Sequence, residues 1–351
     1  MGLTYRSLQS ADIPICVKHF REHPVLAARY GNLIDLLPAA LSQTFRDDYV
    51  AVNLFEETQG AATRYLGAGM AVFVSDSFLQ EAKTTPFFWV GPELVKRMAA
   101  GNSPLLSEEE IRDANSAAAL NLMVWHNSCH PEDLRRMDLA VLIMNSFEKT
   151  FHGFRLREVF SQSDCLEQFH GARAAGGLYF DLEQGCYGAF PEIDESNFYD
   201  EPRNLGTTRE LAPLHGATWI NTLFVFGPPQ FGFSRSEQRQ LTCALAGGET
   251  DEELGAALGI SVSAVKKNWR SVYDRVASRS PRLLPDNFPM QQWEVETRGK
   301  QKKQRLLAYL REHPEELRPF SQRLFQSQLN CQGENTRPRS PFPASNTPEG
   351  Q

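Results

Sequence analysis

Late in the chain, apolar positions recur at helical spacing in three consecutive blocks, each with its own start and stop, within FSRSEQRQLTCALAGGETDEELGAALGISVSAVKKNWRSVYDRV. Ser234 with Glu237 three residues on has the pattern of a capping box. It opens a helix whose apolar face carries Leu241, Ala244 and Leu245 and which ends at Gly247 and Gly248. Thr250 with Glu253 repeats the pattern, Leu254 and Leu258 share one face, and Gly259 supplies a left-handed exit. Ser261 then caps a third helix in which Val265, Trp269, Val272 and Val276 follow at spacings of four, three and four, so these four are expected inside.

The opposite face of that third helix carries Ser263, Lys266, Lys267, Arg270 and Asp274. Cations and short polar groups on the first two turns of one helix suit simultaneous contact with phosphates and base edges in the major groove. A further helix is expected in RGKQKKQRLLAYLREHPEELRPF, with Leu306, Leu307 and Leu310 apolar and Lys300, Lys302, Lys303 and Arg305 basic. It would serve as a dimer contact, add phosphate contacts, or pack on the first three helices. Beyond Asn330 the Pro/Ser/Asn-rich tail, residues 331–351, has no periodicity and is expected to be disordered.

Upstream, the period switches repeatedly between two and 3.6. TYRSL opens as a strand, and a helix is expected from about Asp12 to Tyr30. YVAVNLFEE and then RYLGAGMAVFVS read as strands, and Ser107 with Glu110 caps another helix. NLMVWH reads as a buried strand, Pro131 as the start of a long helix carrying Leu134, Met137, Val141, Met144, Phe147 and Phe151, and FRLREVF as a returning strand. Residues 1–190 are therefore expected to form an α+β domain, a mixed sheet with flanking helices. Residues 191–232, with clustered Asp, Glu, Asn and Pro between Glu192 and Gly216, read as a linker ending in a strand, TWINTLFVF; residues 233–320 are expected to form an all-α helix-turn-helix domain with an extra helix.

Charge sharpens this division. The 351 residues carry a net charge of −7, yet residues 233–330 hold 16 Lys and Arg against 12 Asp and Glu, whereas residues 1–232 hold 18 against 29. A mildly basic module behind an acidic one fits a chain that meets phosphate at one end. Six scattered cysteines without a C-x-x-C pair favour neither disulfides nor a zinc ribbon. No export signal or membrane span is read, so a cytoplasmic protein is expected. His126, Cys129 and His130 stand in the spacing H-x-x-C-H, but Glu132 or Asp133 are the local candidates for further ligands. The preferred reading is a loop capping a helix, with no metal. No catalytic set and no cofactor is assigned.

The run E-x-x-x-L, G-x-T-D-E-E-L, L-G-I-S-x-S-A-V-K-x-x-W and Y resembles the LuxR/NarL-type helix-turn-helix over about 45 residues. By that resemblance Lys266, Lys267 and Arg270 reach base edges, and Thr250, Ser263, Asn268 and Tyr273 position the backbone. Ala264 and Ser271 complete the DNA-facing set. Asn268 and Trp269 stand where a histidine and a small aliphatic are common, and the turn at Gly247-Gly248-Glu249 is one residue longer than usual. The order of elements in residues 1–190 is in turn similar to the GNAT acyltransferase-like fold. The family's glycine-rich R-x-x-G-x-G/A loop would lie at the junction His126-Asn-Ser-Cys-His-Pro-Glu-Asp, which has no glycine. Arg64-Tyr-Leu-Gly-Ala-Gly69 fits the letters but precedes the strand MAVFVS rather than a helix. Neither the receiver pattern of two-component regulators nor an acyl-homoserine-lactone pocket is read in residues 1–190. The resemblances together imply a transcriptional regulator that binds double-stranded DNA as a homodimer and takes a small-molecule effector or protein partner at a non-catalytic first domain. An acyltransferase carrying a DNA-binding module is the alternative.

Overall fold

A computed structural model describes residues 2–44, 51–60, 62–133, 135–163, 165–247, 250–284, 294–321, 323 and 325. Its eight strands are β1 (Gly2–Ser7), β2 (Ala51–Gln59), β3 (Ala62–Val74), β4 (Leu120–Cys129), β5 (Leu156–Ser163), β6 (Leu178–Asp181), β7 (Cys186–Gly188) and β8 (Arg203–Thr208). They form one mixed sheet in the order β1-β2-β3-β4-β5-β8-β6-β7. All neighbours are antiparallel except β4 and β5, which run parallel from Leu120↔Leu156 to Val124↔Ser161. A parallel pair needs a crossover, and α7 (Met137–Phe151) provides it.

Three helices, α1 (Ile13–Glu22), α2 (Pro24–Tyr30) and α3 (Leu37–Thr44), precede β2, and α4 (Asp76–Thr84), α5 (Val90–Ala99) and α6 (Glu108–Ser116) separate β3 from β4. After β5 comes α8 (Leu166–Ala174). The helices α9 (Arg235–Leu245), α10 (Asp251–Leu258), α11 (Val262–Arg279) and α12 (Glu294–Glu312) follow, and a 3-10 turn at Pro314–Leu317 comes after them. Alternation along β3 explains why the sheet has two cores: Val72 and Val74 point to one cluster with Phe20, Leu41 and Leu94, while Ala71 and Phe73 point to another with Phe151, Leu156 and Leu223. The protein is thus mixed α/β, with an eight-stranded mixed sheet and many helices.

Several local expectations change. The helix expected from Asp12 to Tyr30 breaks at His23, which is extended (φ −79°, ψ 115°), because a proline at 24 pushes the preceding residue out of the helical region. Pro131 opens only a 3-10 turn to Asp133, and α7 starts at Met137; Leu134 lies outside the described residues. Arg203–Thr208, expected within a linker, is instead β8, bonded to β5 and β6 inside the sheet. TWINTLFVF is not a strand; Trp219–Phe224 coils as a 3-10 helix that buries Ile220, Leu223 and Phe224. The string Arg64–Gly69 lies inside β3 rather than ahead of it. A Cβ at Gly67 would strike the Ser128 carbonyl of β4, so this glycine permits close strand approach. The residues 331–351 lie outside the described chain.

Contacts tie the C-terminal segment to the sheet-bearing part. Asn115 Nδ2 donates to Pro319 O at 2.7 Å, Ser321 N donates to Ser116 Oγ at 2.6 Å, and Arg318 Nε donates to His152 O at 2.7 Å. Gly153, at φ +90°, lies against Pro314 and Glu315 so closely that a Cβ would come within 2.6 Å of Glu315 N. At the other end, Arg235 Nε pairs with Glu108 Oε1 at 3.1 Å.

Candidate nucleic-acid interface

Local chemistry positions α9, α10 and α11. Ser234 Oγ accepts from Glu237 N while Glu237 Oε2 accepts from Ser234 N at 2.6 Å. Thr250 and Glu253 repeat the exchange at 3.1 and 2.9 Å, so both capping boxes form. Each such cap is worth about 1 kcal/mol. Gly259 ends α10 in the left-handed region (φ 65°, ψ 33°), where a side chain is strained. Ser261 Oγ then accepts from Ala264 N at 3.2 Å to start α11. A Cβ at Gly255 would approach Ile260 O to 2.9 Å, so the turn folds tightly onto α10. Gly248 and Glu249 lie outside the described residues.

Packing fixes which way α11 faces. Val265, Trp269, Val272 and Val276 are buried in one cluster with Phe231, Leu241, Leu254 and the α12 residues Leu306, Leu307 and Leu310. Burying a side chain of this kind contributes roughly 1.5–3 kcal/mol, so the orientation is strongly determined. The α12 leucines therefore pack on the first three helices, the plainest of the roles expected for them. Lys303 adds its ammonium 5.3 Å from the Trp269 ring.

The remaining face of α11 is open. Ser263, Lys266, Lys267, Arg270 and Ser271 are exposed, Ala264 is half-buried, and Thr250 is exposed at the α10 cap. Among the described residues no ion pair engages Lys266, Lys267 or Arg270, whereas the later cations of the helix are in use. Arg275 Nη1 donates to Gly232 O at 3.2 Å and its other arm pairs with Glu237, and Arg279 Nη1 donates to Phe231 O at 2.5 Å. Two of the residues expected to face DNA are turned partly inward. Asn268 is half-buried and donates to Gln240 Oε1 at 3.1 Å, while Gln240 donates onward to Val265 O, joining α9 to α11. Tyr273 is half-buried, stacked on Trp269 with centroids 5.6 Å apart, and burial pushes its phenol up to about 12.

In the sheet-bearing part, H-x-x-C-H, expected as a loop, is one only at His130. His126–Cys129 belong to β4, because β4 continues along β3 (Met70↔His126 to Gly67↔Cys129) past a bulge at Trp125. His126 Nε2 and His19 Nε2 each lie 2.5 Å from Ser128 Oγ, all three residues being buried. Burial, helped by the neighbouring histidines, holds His19 neutral with its pKa down to about 2, and pushes the Cys129 thiol up to about 12. At neutral pH Cys129 is therefore a thiol and His19 a neutral imidazole. Among the described residues no group of three or more His, Cys, Asp and Glu is arranged to hold a metal ion, and none of the described helices is long and apolar enough to cross a membrane.

A cleft in the sheet-bearing part was not anticipated from the spacing of residues along the chain. β4 and β5 pair only as far as Val124 and Ser161 and then part, since β4 follows β3 while β5 follows β8. Beside this divergence the cleft, of about 290 Å³, is walled by α7, α8 and the 3-10 turn at Trp219. Its lining comes from elements more than 150 residues apart, so spacing along the chain could not reveal it. A partial signal was the surplus of large apolar residues on α7, where Leu142, Ile143, Met144 and Phe147 are only half-covered.

No protein-family profile and no curated protein matches the chain. Among solved structures, an uncharacterized protein of Bacillus halodurans is similar over 63% of this chain and 90% of its own, at 11% identity and a TM-score of 0.32.

Proposed function

We propose that this chain is a sequence-specific DNA-binding regulator of transcription, built as two units. α9–α12 form the helix-turn-helix unit, and the sheet-bearing part ahead of it governs that unit without catalysis. The observation that carries the reading is the division of α11. Four apolar side chains are buried on one face, and on the other Ser263, Lys266, Lys267 and Arg270 are exposed, the three cations without an ion pair among the described residues, just past a turn held by a left-handed glycine and two caps. A helix so divided lies in a major groove with its cations against phosphates and base edges. Thr250, Ser263, Ala264 and Ser271 flank the contact, while Asn268 and Tyr273 act mainly by fixing α11 on its neighbours. Two copies acting together would meet half-sites about 34 Å apart, which makes a homodimer the functional form.

Selection of bound fragments from random duplex DNA tests this directly. Enrichment of one two-fold symmetric motif is the expected outcome, and recovery of unselected sequence with the chain present in excess refutes sequence-specific binding.

The second reading is an acyltransferase with a DNA-binding module, favoured by one observation: the parallel β4–β5 pair that parts beside a cleft. Against it stands the chemistry at the start of α7. There Asp133 is buried and paired with Arg64 at 2.6 Å and with Arg136 at 3.4 Å, which puts an acid where an anionic coenzyme needs donors. Heat of acetyl-CoA binding accompanied by turnover would favour this alternative, and its absence favours the regulator.

A further inference from the structure

The geometry points to the cleft between β4 and β5 as a binding site for an uncharged, largely apolar small molecule with a hydrogen-bonding group, the effector of the DNA-binding unit; this deepens the regulator reading and rests on it. The cleft volume of about 290 Å³ lies at the lower end of small-molecule sites, roughly 300–1,000 Å³. Its walls are mainly apolar, with Phe55, Met70, Val124, Ile143, Phe147 and Trp219 among them. Such a surface favours an apolar occupant over water.

Polar groups in the lining define the rest of the ligand. Ser163 is 3% exposed, and its Oγ, shielded from solvent, has no hydrogen-bond partner among the described residues. Asn127 Oδ1 is shielded and unpartnered in the same way, and both residues line the cleft. Buried oxygens of this kind call for a partner, here one supplied from the cavity. Asn127 Oδ1 only accepts, so the ligand must offer it an N–H or O–H, and the Ser163 hydroxyl takes either role.

The charged groups of the lining are already paired with one another or with neighbours, its acids included: Asp133 with Arg64 at 2.6 Å and Glu167 with Arg135 at 3.6 Å, so neither sign of ligand charge finds a free partner. Arg136, its one Arg or Lys among the described residues, is already held by Glu57 and Asp138 at 2.9 Å each and by Asp133 at 3.4 Å. The acids Asp133 and Glu167 also line the cleft. An anionic ligand would therefore meet carboxylates and a guanidinium already engaged by acids. A route to the DNA-binding unit lies in the wall itself. Trp219 and Ile220 stand on the 3-10 helix Trp219–Phe224, from which the chain runs directly to the Ser234 cap of α9. Trp219 is held there by its Nε1 bond to Glu148 Oε2 at 3.2 Å and by ring contact with Phe147.

The test uses the full chain and two fluorescent probes of one skeleton: N-phenylnaphthylamine, uncharged and bearing an N–H, and anilinonaphthalenesulfonate, its anionic counterpart. N-phenylnaphthylamine is expected to bind saturably at one site, roughly tenfold or more tighter than the sulfonate. Acetyl-CoA is expected not to displace it. Ala140→Phe on α7 and Ala172→Phe on α8 intrude from two separate walls, and each is expected to weaken the uncharged probe about tenfold or more while thermal unfolding shows the fold intact. Saturating probe is also expected to shift the affinity for duplex DNA about fivefold. Equal binding of the two probes, displacement by acetyl-CoA, or indifference to whichever of the two variants folds overturns the site. Unchanged DNA affinity at saturating probe overturns the effector role. Because probe binding is read without DNA, a chain that takes up the probe but binds no duplex keeps the cleft as a ligand site and refutes only the regulator.

Discussion

Replacing Lys267 by alanine isolates one cation of the open α11 face. The side chain is exposed and makes no ion pair among the described residues, so removing it is expected to change folding stability by less than about 0.5 kcal/mol. Its effect on DNA follows from counterion release, which gives a slope of log affinity against log salt of about −0.9 per phosphate neutralised. The three α11 cations without an ion pair among the described residues, taken twice in a dimer, supply up to six such contacts and a slope contribution of about −5. Lys267→Ala removes one contact per protomer and should flatten the slope by about 2. Between 50 and 200 mM salt this amounts to roughly tenfold less loss of affinity than the parent shows. Fluorescence anisotropy of a labelled duplex across that salt range measures it. If Lys267 instead reads a base, the slope stays and discrimination at one position falls by about 1–3 kcal/mol. A variant with unchanged slope and unchanged base preference removes Lys267 from the interface, and the same result at Lys266 and Arg270 refutes the DNA-facing role of α11.

Other consequences are open to measurement. Glu316 is buried, and burial outweighs the N–H bonds it accepts from Gln230 and Phe231 to raise its carboxyl from about 4.5 to about 7. The folded chain thus holds a proton that the unfolded chain releases. Its contribution to stability is complete below about pH 4.5 and fades as pH rises through 7, on the order of 3 kcal/mol in all. Urea unfolding of the parent and of Glu316→Gln at pH 5 to 8 should differ by that trend, and parallel pH profiles would refute it. Trp269→Ala empties the centre of the α9–α12 core and should destabilise it by about 3–5 kcal/mol, seen as early loss of helical circular dichroism. Gly153→Ala combines positive-φ strain with collision against the Pro314–Glu315 backbone and should cost about 2 kcal/mol or more; a thermal midpoint equal to the parent's would disprove that contact. Gly259→Ala meets open space and bears only the left-handed backbone penalty of about 1 kcal/mol, so a larger loss in urea unfolding would mean that the turn is packed more tightly than described.

The three helices α9, α10 and α11 were legible because their determinants are local. Ser234 with Glu237, Thr250 with Glu253, Ser261 and Gly259 each act within four residues, and the 3.6-residue period separated Val265 and Trp269 from Lys266 and Lys267 without tertiary information. What escaped was non-local. β8 has no alternating pattern and lies amid turn residues; it is a strand because β5 and β6 offer it a ladder on both sides. TWINTLFVF has strand composition, yet it coils so that Ile220, Leu223 and Phe224 reach the core shared with α6 and α7. The inward turn of Asn268 depended on Gln240, 28 positions earlier and fully buried, and Glu316 depended on backbone donors more than 80 positions away. The cleft, assembled from strands that part, lay entirely beyond the reach of periodicity.

The bonds made by Pro319, Arg318 and Ser321 have a consequence for proteolysis. The four closing helices are joined to α6 and to the end of α7 at their exit, as well as to the sheet-bearing part through the peptide running from Phe224 to Ser234. Val225, Gly227 and Pro228 in that peptide are exposed, so a protease reaching them should nick the polypeptide. The two fragments would then elute together under native conditions and separate only in denaturant, as with a clasp fastened at both ends.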